Sequence, residues 1–228
     1  MRVYNKTILI TGGAGGVGGA LAQKCVSAGA RVFSLDIRPP EAPIEGVTYY
    51  TVDITKSVAI CKAIKKIPHP IHCLVNNAGV MRRGKIFETS EADWDFLFSI
   101  NVKAPWLVTK CAQPFLARNA TIVSVSSKHG VHLVADPAVY ALTKATLLTL
   151  SKIIALTYPS YRMKVACFGP IDTALHHFGR DRAQLKQEKK EGKVCMPADA
   201  ATMLFKLITL DKTQLLFNPG TCSYSFTD

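Results

Sequence analysis

The chain has 228 residues, of which 48% are hydrophobic and 19% charged, which suits a folded protein with a sizeable core and excludes a disordered, collagen-like or coiled-coil chain. Its 28 basic and 16 acidic residues leave a net charge of +12, which fits nucleic acid, an anionic cofactor, an acidic substrate or solubility alone. The start lacks a signal-peptide pattern and no uninterrupted apolar run reaches the ~18–20 residues that cross a bilayer, so we expect a cytoplasmic protein with no membrane span.

Short β-rich apolar runs alternate with segments of helical spacing along the chain. Strands are predicted at 7–11, 31–36, 47–52, 71–76, 121–126, 163–167 and 215–217. Helices are predicted at 17–28, 56–66, 90 to about 117 with an interruption at Pro105 and Pro114, 137 to about 157, and 197–209. This alternation predicts βαβ units, and therefore a single doubly wound α/β domain over residues 1–228, with a parallel β-sheet flanked by helices on both faces.

The cysteines give no sign of a covalent framework. There are seven of them, an odd number, and no pair has the C-x-x-C spacing of zinc or redox motifs. Most lie in apolar stretches, so we expect free thiols that pack as small hydrophobic side chains, with neither disulfides nor a metal site.

A glycine-rich segment joins the first predicted strand to the first helix, and it reads Thr11-Gly12-Gly13-Ala14-Gly15-Gly16-Val17-Gly18-Gly19. Glycines permit a tight turn, and the N–H groups at a helix start attract a pyrophosphate. Asp36 ends the second strand, where a carboxylate hydrogen-bonds the hydroxyls of an adenine-side ribose and repels a 2′-phosphate. The pattern predicts a dinucleotide site that prefers NAD, although Arg38 offers a partner for a 2′-phosphate.

Polar side chains gather where the central strands are predicted to end. Tyr140 and Lys144 are four residues apart on one helix face, and a nearby ammonium lowers the pKa of a phenol. The fifth strand ends in Ser126-Ser127 and the fourth in Asn76-Asn77-Ala78-Gly79. Ligands of open α/β sheets bind beyond the carboxyl ends of the strands, so these groups are predicted to share one rim with the glycine segment.

These motifs resemble those of the short-chain dehydrogenase/reductase family over about residues 5–210. Besides the glycine segment, the similar segments are Asp53-Ile54, Asn76-Asn77-Ala78-Gly79, Ile100-Asn101-Val102, Ser127 with Tyr140-x-x-x-Lys144, and Gly169-Pro170-Ile171-Asp172-Thr173. Ser127 lies 13 residues before Tyr140, the family's spacing, which favours it over Ser126. The resemblance implies a Rossmann-type domain and an oxidoreductase that transfers a hydride between NAD(H) and an alcohol or carbonyl substrate.

The resemblance also implies a role for each catalytic position. Tyr140 exchanges a proton with the substrate oxygen, and Ser127 orients that oxygen. Lys144 holds the nicotinamide ribose and lowers the pKa of Tyr140, and Asn101 holds a water that links Lys144 to solvent. The cofactor contacts fall on Gly12, Ala14, Gly15, Gly16, Val17, Gly18, Asp36, Asp53, Ile54, Asn77, Ala78, Gly79, Tyr140, Lys144, Gly169, Ile171 and Thr173.

The sequence departs from the family's pattern at two places. Phe168 stands where many members have proline, and residues 217–222 lack the usual glycine-rich finish. Residues 172–193, which we call the lid, resemble the mobile segment that closes over the substrate. The lid carries an excess of basic residues, which fits either an anionic substrate or, more simply, a solvated face. Candidate pocket walls are Val80, Met81, His129, Leu133, Ala174, Leu175 and Phe178.

The remaining sequence patterns bear on the partners of the protein and on the alternatives for its function. The lysines are dispersed and no nucleic-acid motif is present, so we expect a small-molecule alcohol or carbonyl substrate and no nucleic acid. His129, His132, His176 and His177 are interpreted as surface or pocket residues and not as metal ligands. The helix after Tyr140 is apolar nearly all round, which favours a homodimer or homotetramer. The alternatives are an NADP(H)-dependent carbonyl reductase and a non-catalytic dinucleotide-sensing regulator.

Overall fold

A computed structural model describes residues 2–228, and its centre is one eight-stranded sheet. The strands are β1 (Thr7–Thr11), β2 (Arg31–Asp36), β3 (Val47–Thr51), β4 (Ile71–Asn76), β5 (Leu116–Ser127), β6 (Arg162–Phe168), β7 (Gln214–Asn218) and β8 (Ser223–Thr227). Their order is β3-β2-β1-β4-β5-β6-β7-β8, and all neighbouring pairs are parallel except β7–β8. The chain order reverses between β1 and β4, which is where open sheets of this kind bind ligands.

Helices cover both faces of the sheet, as the doubly wound prediction requires. They are α1 (Gly16–Ser27), α2 (Ser57–Ile64), α3 (Glu91–Phe98), α4 (Ala104–Ala112), α5 (Ala138–Thr157), α6 (Ala174–His177), α7 (Arg182–Lys190) and α8 (Pro197–Thr209). Ile8 and Ile10 pack into a core beneath α1 and α8, whereas Leu9 faces the opposite core beneath α2 and α4. Successive side chains of β1 are thus buried on opposite faces, which explains why Ile8, Leu9 and Ile10 are all apolar.

The long helix predicted from residue 90 is broken where its prolines lie. α3 ends at Phe98, a π-helical turn spans Ser99–Lys103, and α4 begins at Ala104, with Pro105 in its first turn. Pro105 has no N–H to donate to the carbonyl of Asn101, so the α-helical ladder cannot continue through this point. Pro114 sits in a 3₁₀ turn, and β5 starts at Leu116, five residues before the predicted strand.

The C-terminal hairpin adds one strand to the predicted sheet, in which 215–217 was expected to be the last strand. β8 was not predicted, and it runs antiparallel to β7 from Ser223 to Thr227. Tyr224 of β8 packs edge-on to Phe168 with ring centroids 5.8 Å apart, and its hydroxyl accepts a hydrogen bond from the Gly169 N–H at 3.2 Å. Phe168, the first departure from the family pattern, therefore packs against the added strand at the chain end.

The expectation of free thiols throughout is wrong at one pair. Cys61 of α2 and Cys111 of α4 form a disulfide with Cα atoms 5.1 Å apart, although 50 residues separate them in sequence. These two helices lie side by side on the same face of the sheet, which brings the two side chains together. The remaining cysteines are free: Cys25, Cys73 and Cys167 are buried, Cys195 is half-buried and Cys222 is exposed.

Helix α5 bears on the expectation that no segment spans a membrane. Within residues 2–228, one helix, α5, is long and apolar enough to cross a membrane by length and composition. The core helix of a folded domain passes the same test, and α5 packs against β5 and β6 with Tyr140, Thr143 and Lys144 buried. The finding is therefore weak evidence for a span.

Candidate active site

A cleft of about 1490 Å³ opens at the carboxyl ends of the central strands. It is lined by Ser127, by Tyr140 and Lys144, and by every predicted cofactor residue except Gly18. Gly18 and Asn101 are buried behind the wall, where they shape the backbone that the cleft exposes. The structure thus brings nearly all the predicted site residues to one place.

The glycine turn is held in a shape that leaves no room for larger residues. Gly12 has a φ of +69°, which favours glycine, and a Cβ atom at Gly18 would lie 2.1 Å from the carbonyl oxygen of Gly12. The Asn77 amide donates to the carbonyls of Thr11 and Gly12, at 3.0 and 3.2 Å. This close approach of the backbone fits the cradle that a dinucleotide pyrophosphate needs.

Asp36 and Asp53 line the part of the cleft that is formed by the ends of β2 and β3. Asp36 Oδ2 accepts a hydrogen bond from the Ala14 N–H at 3.1 Å, which ties the end of β2 to the glycine turn. Arg38 also lines the cleft, and its N–H lies 3.4 Å from Asp36 Oδ1. Asp53 accepts hydrogen bonds from the Thr55 N–H and hydroxyl, at 2.9 and 2.7 Å, and these bonds hold the Asp53 pKa below its usual value.

Tyr140 and Lys144 are both buried in the wall of the cleft. Burial raises the pKa of Tyr140 to about 12, although a hydrogen bond with Ser127 opposes this shift. The phenol is therefore protonated near neutral pH. Burial and the Ser127 hydrogen bond account for the Tyr140 shift, and the lowering expected from Lys144 stays a prediction.

Lys144 is held by backbone as well as by burial. Its Nζ donates to the Val125 carbonyl at 3.0 Å and lies 5.8 Å from the centroid of the Tyr140 ring. Burial lowers the pKa of Lys144 to about 8. A Cβ atom at Gly79 would approach Lys144 Nζ to 3.2 Å, so the glycine that ends the asparagine motif leaves space for the ammonium.

The two serines at the end of β5 do different things. The Ser126 hydroxyl donates to the Lys144 carbonyl at 3.0 Å and so fastens α5 to β5. The Ser127 hydroxyl accepts from the His129 N–H at 3.2 Å and is the one bonded to Tyr140. Ser127 is thus the serine that acts on the Tyr140 pKa, and its place beside the reacting oxygen stays a prediction.

Asn101 lies in the π-helical turn, and its side chain is fully engaged. Its amide oxygen accepts from the Val80 N–H, and its NH₂ donates to the Val80 carbonyl and the Thr143 hydroxyl, all at 2.9–3.0 Å. Thr143 and the carbonyl of Val125 were missed from the sequence. Thr143 falls inside the Tyr-x-x-x-Lys motif, at a position to which the motif assigns no residue type, and a carbonyl has no sequence signature.

The lid contributes part of the cleft wall, and several of its charged side chains pair with one another. Glu188 of α7 contacts His176 and Arg180, and Asp172 contacts His177 and Lys189 at 2.7 Å each. His176 and Arg180 also line the cleft. Of the predicted walls, Val80, Met81, His129, Ala174 and Leu175 line the cleft, whereas Leu133 and Phe178 do not.

His129 and His176 line the cleft, and burial lowers the pKa of both. Burial lowers the pKa of His129 to about 4, so its ring is neutral at physiological pH. Burial also lowers the His176 pKa, although Glu188 opposes the shift. Across residues 2–228, no three histidine, cysteine, aspartate or glutamate side chains converge as a metal ion would require.

The chain is similar in sequence and in fold to several known proteins. Residues 6–184 match the short chain dehydrogenase family. Oxidoreductase UcpA of Escherichia coli K12 is 35% identical over 191 residues, which cover 76% of this chain and 72% of UcpA. The ligand-free aldohexose dehydrogenase of Thermoplasma acidophilum superposes with a TM-score of 0.80 at 26% identity, covering 90% of this chain and 88% of that one. A metagenomic blue fluorescent protein solved with NADPH, at 21% identity, has a TM-score of 0.77 over 91% of this chain and 92% of its own.

Proposed function

The chain belongs to the short-chain dehydrogenase family, and from this premise we propose that it is an NAD(H)-dependent oxidoreductase acting on an alcohol or its carbonyl product. The observation that carries the proposal is the position of Tyr140. Its phenol is bonded to Ser127 and lines the same cleft as Lys144 and the glycine turn. A proton donor, a group that orients an oxygen and a dinucleotide cradle therefore share one cavity.

The protein's part in the reaction is to position groups and to move a proton. A bound nicotinamide supplies or accepts the hydride. Tyr140, protonated near neutrality, donates its hydroxyl proton to the oxygen of a carbonyl substrate, and it accepts that proton in the reverse direction. The Ser127 hydroxyl hydrogen-bonds the same oxygen and fixes its place. The Lys144 ammonium would contact the ribose and favour the phenolate that remains.

We propose NAD and not NADP as the cofactor because of the carboxylate at the end of β2. Asp36 lines the cleft and bonds to the Ala14 N–H of the glycine turn, so a 2′-phosphate placed beside it would meet a negative charge. The NADPH bound in the blue fluorescent protein does not decide the point, because that likeness of 21% identity concerns the fold alone. Arg38 is the residue that supports the alternative.

The first test is a fluorescence titration of the purified protein with NADH and with NADPH. The proposal expects tight binding of NADH and weak binding of NADPH. A preference for NADPH would mean that Arg38 outweighs Asp36 and would point to a reductase. If neither nucleotide bound, the proposal of a dinucleotide enzyme would be wrong.

A second test separates an enzyme from a dinucleotide sensor. Tyr140→Phe removes the hydroxyl that exchanges the proton and leaves the ring in place. We expect it to abolish nearly all turnover of a panel of alcohols and carbonyls while NADH binding is retained. Turnover that survives in the variant would remove Tyr140 from the mechanism.

The charge pairing within the lid favours a neutral substrate over an anionic one. Glu188 pairs with Arg180, the lid cation that lines the cleft, and Asp172 pairs with Lys189, so the positive charge that the lid presents to the cleft is already neutralised. We expect neutral carbonyl compounds to be better substrates than carboxylates or phosphate esters at low salt. A consistent advantage for the acidic compounds would contradict this part of the proposal.

We also propose that the protein forms a homodimer or homotetramer through the outer surfaces of α4 and α5. A groove of about 320 Å³, almost purely apolar, is lined by Val102, Lys103, Trp106, Thr146, Thr149, Leu150 and Ile153. Leu156 nearby on α5 is 82% exposed. Light scattering coupled to size-exclusion chromatography tests this, and Ile153→Glu should shift an oligomer toward monomer.

A further inference from the structure

The lid touches the rest of the molecule through an arginine that no part of the proposed reaction uses. Arg82 lies in the loop that follows β4. Its guanidinium carbon lies 4.5 Å from the ring centroid of Phe96 in α3 and 4.8 Å from that of Phe178 in the lid. One planar cation therefore contacts two aromatic rings, one in the body of the protein and one in the lid.

Arg82 is itself held in place by the body of the protein. Its Nε pairs with Asp93 Oδ1 at 3.2 Å, and its Nη1 donates to the Met81 carbonyl at 3.1 Å. Asp93 lies in the first turn of α3, where the Ser90 hydroxyl accepts its backbone N–H. The arginine is thus anchored on α3 and its own loop, so the contact with Phe178 is the part that joins it to the lid.

Phe178 sits between the lid residues that face the cleft. Leu175 and His176 precede it, Arg180 follows it, and all three line the cleft together with Phe96. Beside the stack, Gly179 adopts a φ of +64°, and a Cβ atom there would lie 3.2 Å from Arg83 Cδ. This turn of the lid therefore rests on two consecutive arginines of the loop after β4.

We propose that Arg82 is a positioning residue that holds the lid closed over the substrate end of the cleft by stacking on Phe178. The stack fixes the turn that presents Leu175, His176 and Arg180 to the cleft. The inference rests on the proposed function only in calling that end of the cleft the substrate site. Loss of the stack frees the lid from α3 and leaves the glycine turn and Asp36 unchanged.

Limited trypsin digestion tests this proposal without substrate or turnover. The lid contains Arg182, Lys186, Lys189, Lys190 and Lys193, and cleavage there is followed by mass spectrometry. When opening is fast relative to cleavage, the cleavage rate reports the population of the open lid. We expect Arg82→Met and Phe178→Leu each to raise that rate by about tenfold, the scale of one partly desolvated cation–π contact.

Three further variants make the result specific. Phe178→Tyr keeps the aromatic face and should be cleaved at the wild-type rate. Lys85→Met removes a positive charge from the same loop, where Lys85 pairs with Glu88, and should also leave the rate unchanged. The double variant Arg82→Met/Phe178→Leu should be cleaved no faster than either single variant, because both changes break one contact.

The outcomes decide the proposal whatever happens to the proposed function. Wild-type cleavage rates in both single variants, or effects that multiply in the double variant, would overturn the role of Arg82. Phe178 is 43% exposed, so Phe178→Leu keeps the test valid if Arg82→Met does not fold. Failure of wild-type protein to bind NADH would count against the enzyme proposal alone, because digestion requires no cofactor.

Discussion

Asn101 hydrogen-bonds the backbone of Val80 through both the oxygen and the nitrogen of its side-chain amide. Its Oδ1 accepts from the Val80 N–H and its Nδ2 donates to the Val80 carbonyl, each at 2.9 Å. This pair ties the π-helical turn between α3 and α4 to the loop after β4, and that loop supplies part of the cleft wall. An exposed residue would have water to replace these bonds, but Asn101 is completely buried.

The first prediction is that Asn101→Ala destabilises the protein and lowers turnover. The change leaves the two Val80 groups and the Thr143 hydroxyl without this partner, at about 1–3 kcal/mol for each group that stays unsatisfied. Chemical denaturation of the variant measures the loss. The exposed Asn119 provides the control, since Asn119→Ala should be nearly neutral. Equal stability of the two variants would show that the hydrogen bonds of the Asn101 side chain do not stabilise the folded protein.

The second prediction concerns the glycine turn. Gly18→Ala places a Cβ atom 2.1 Å from the Gly12 carbonyl oxygen, so the turn must shift. We expect NADH affinity to fall by more than about tenfold, because the N–H groups that face a pyrophosphate are displaced. Gly19→Ala is the matched control, since its Cβ would meet nothing nearer than 3.6 Å. Fluorescence titration of both variants measures the difference, and equal affinities would contradict the prediction.

The third prediction is that Asp36→Ser shifts the cofactor preference. Removing this carboxylate takes away a ribose acceptor and the charge that repels a 2′-phosphate. The ratio of NADPH to NADH affinity should rise by at least about tenfold. Glu41→Gln removes one negative charge from the same region of the cleft and should leave the ratio unchanged. An unaltered ratio in Asp36→Ser would assign the discrimination to other residues.

The fourth prediction links Lys144 to the pH dependence of stability. Its pKa is lowered by burial from 10.5 to about 8, so between these values the unfolded chain binds more protons than the folded one. The contribution of Lys144 to stability therefore rises as pH increases through this window. Lys144→Met removes the titration, so the variant should gain most over wild type near neutral pH. That gain should shrink toward about pH 10.

Thermal unfolding at a series of pH values checks the Lys144 prediction. The variant loses the hydrogen bond to Val125, which offsets part of its gain by about 1 kcal/mol. The decisive quantity is therefore the change of the difference with pH and not its size at one pH. A difference that stays constant from about pH 7 to pH 10 would mean that burial does not depress this pKa.

The fifth prediction is that five cysteine thiols, and not seven, react in the denatured but unreduced protein. Reduction should then expose the Cys61 and Cys111 thiols and lower the midpoint of thermal unfolding. For a loop closed over a separation of 50 residues, chain entropy alone sets the loss at about 4 kcal/mol. The control is Cys61→Ser, whose stability should not respond to reductant. Seven reactive thiols before reduction would refute the disulfide.

Most of the elements, and the edge of the sheet where the site lies, could be predicted from local patterns in the sequence. Local sequence encodes a buried strand, a glycine turn and a helix start, each within about a dozen residues. The cradle at residues 11–19 can therefore be recognised without a structure. The side chains of Asp36, Asn77 and Ser127 share one edge because parallel strands end there, and α5 brings Tyr140 to the same edge after β5. Their convergence in one cleft therefore follows from the order of elements along the chain.

Features that depend on contacts between distant segments could not be predicted from the sequence. The disulfide joins residues 50 positions apart, and the β8 strand is short and exists by pairing with β7. The Tyr140 pKa follows from burial, which a spacing of four residues cannot report. Arg82 is easily found in the sequence of the loop after β4, but its stacking partners lie in α3 and in the lid. The spacing of residues along the chain encodes neither the distance between Arg82 and these rings nor their orientation.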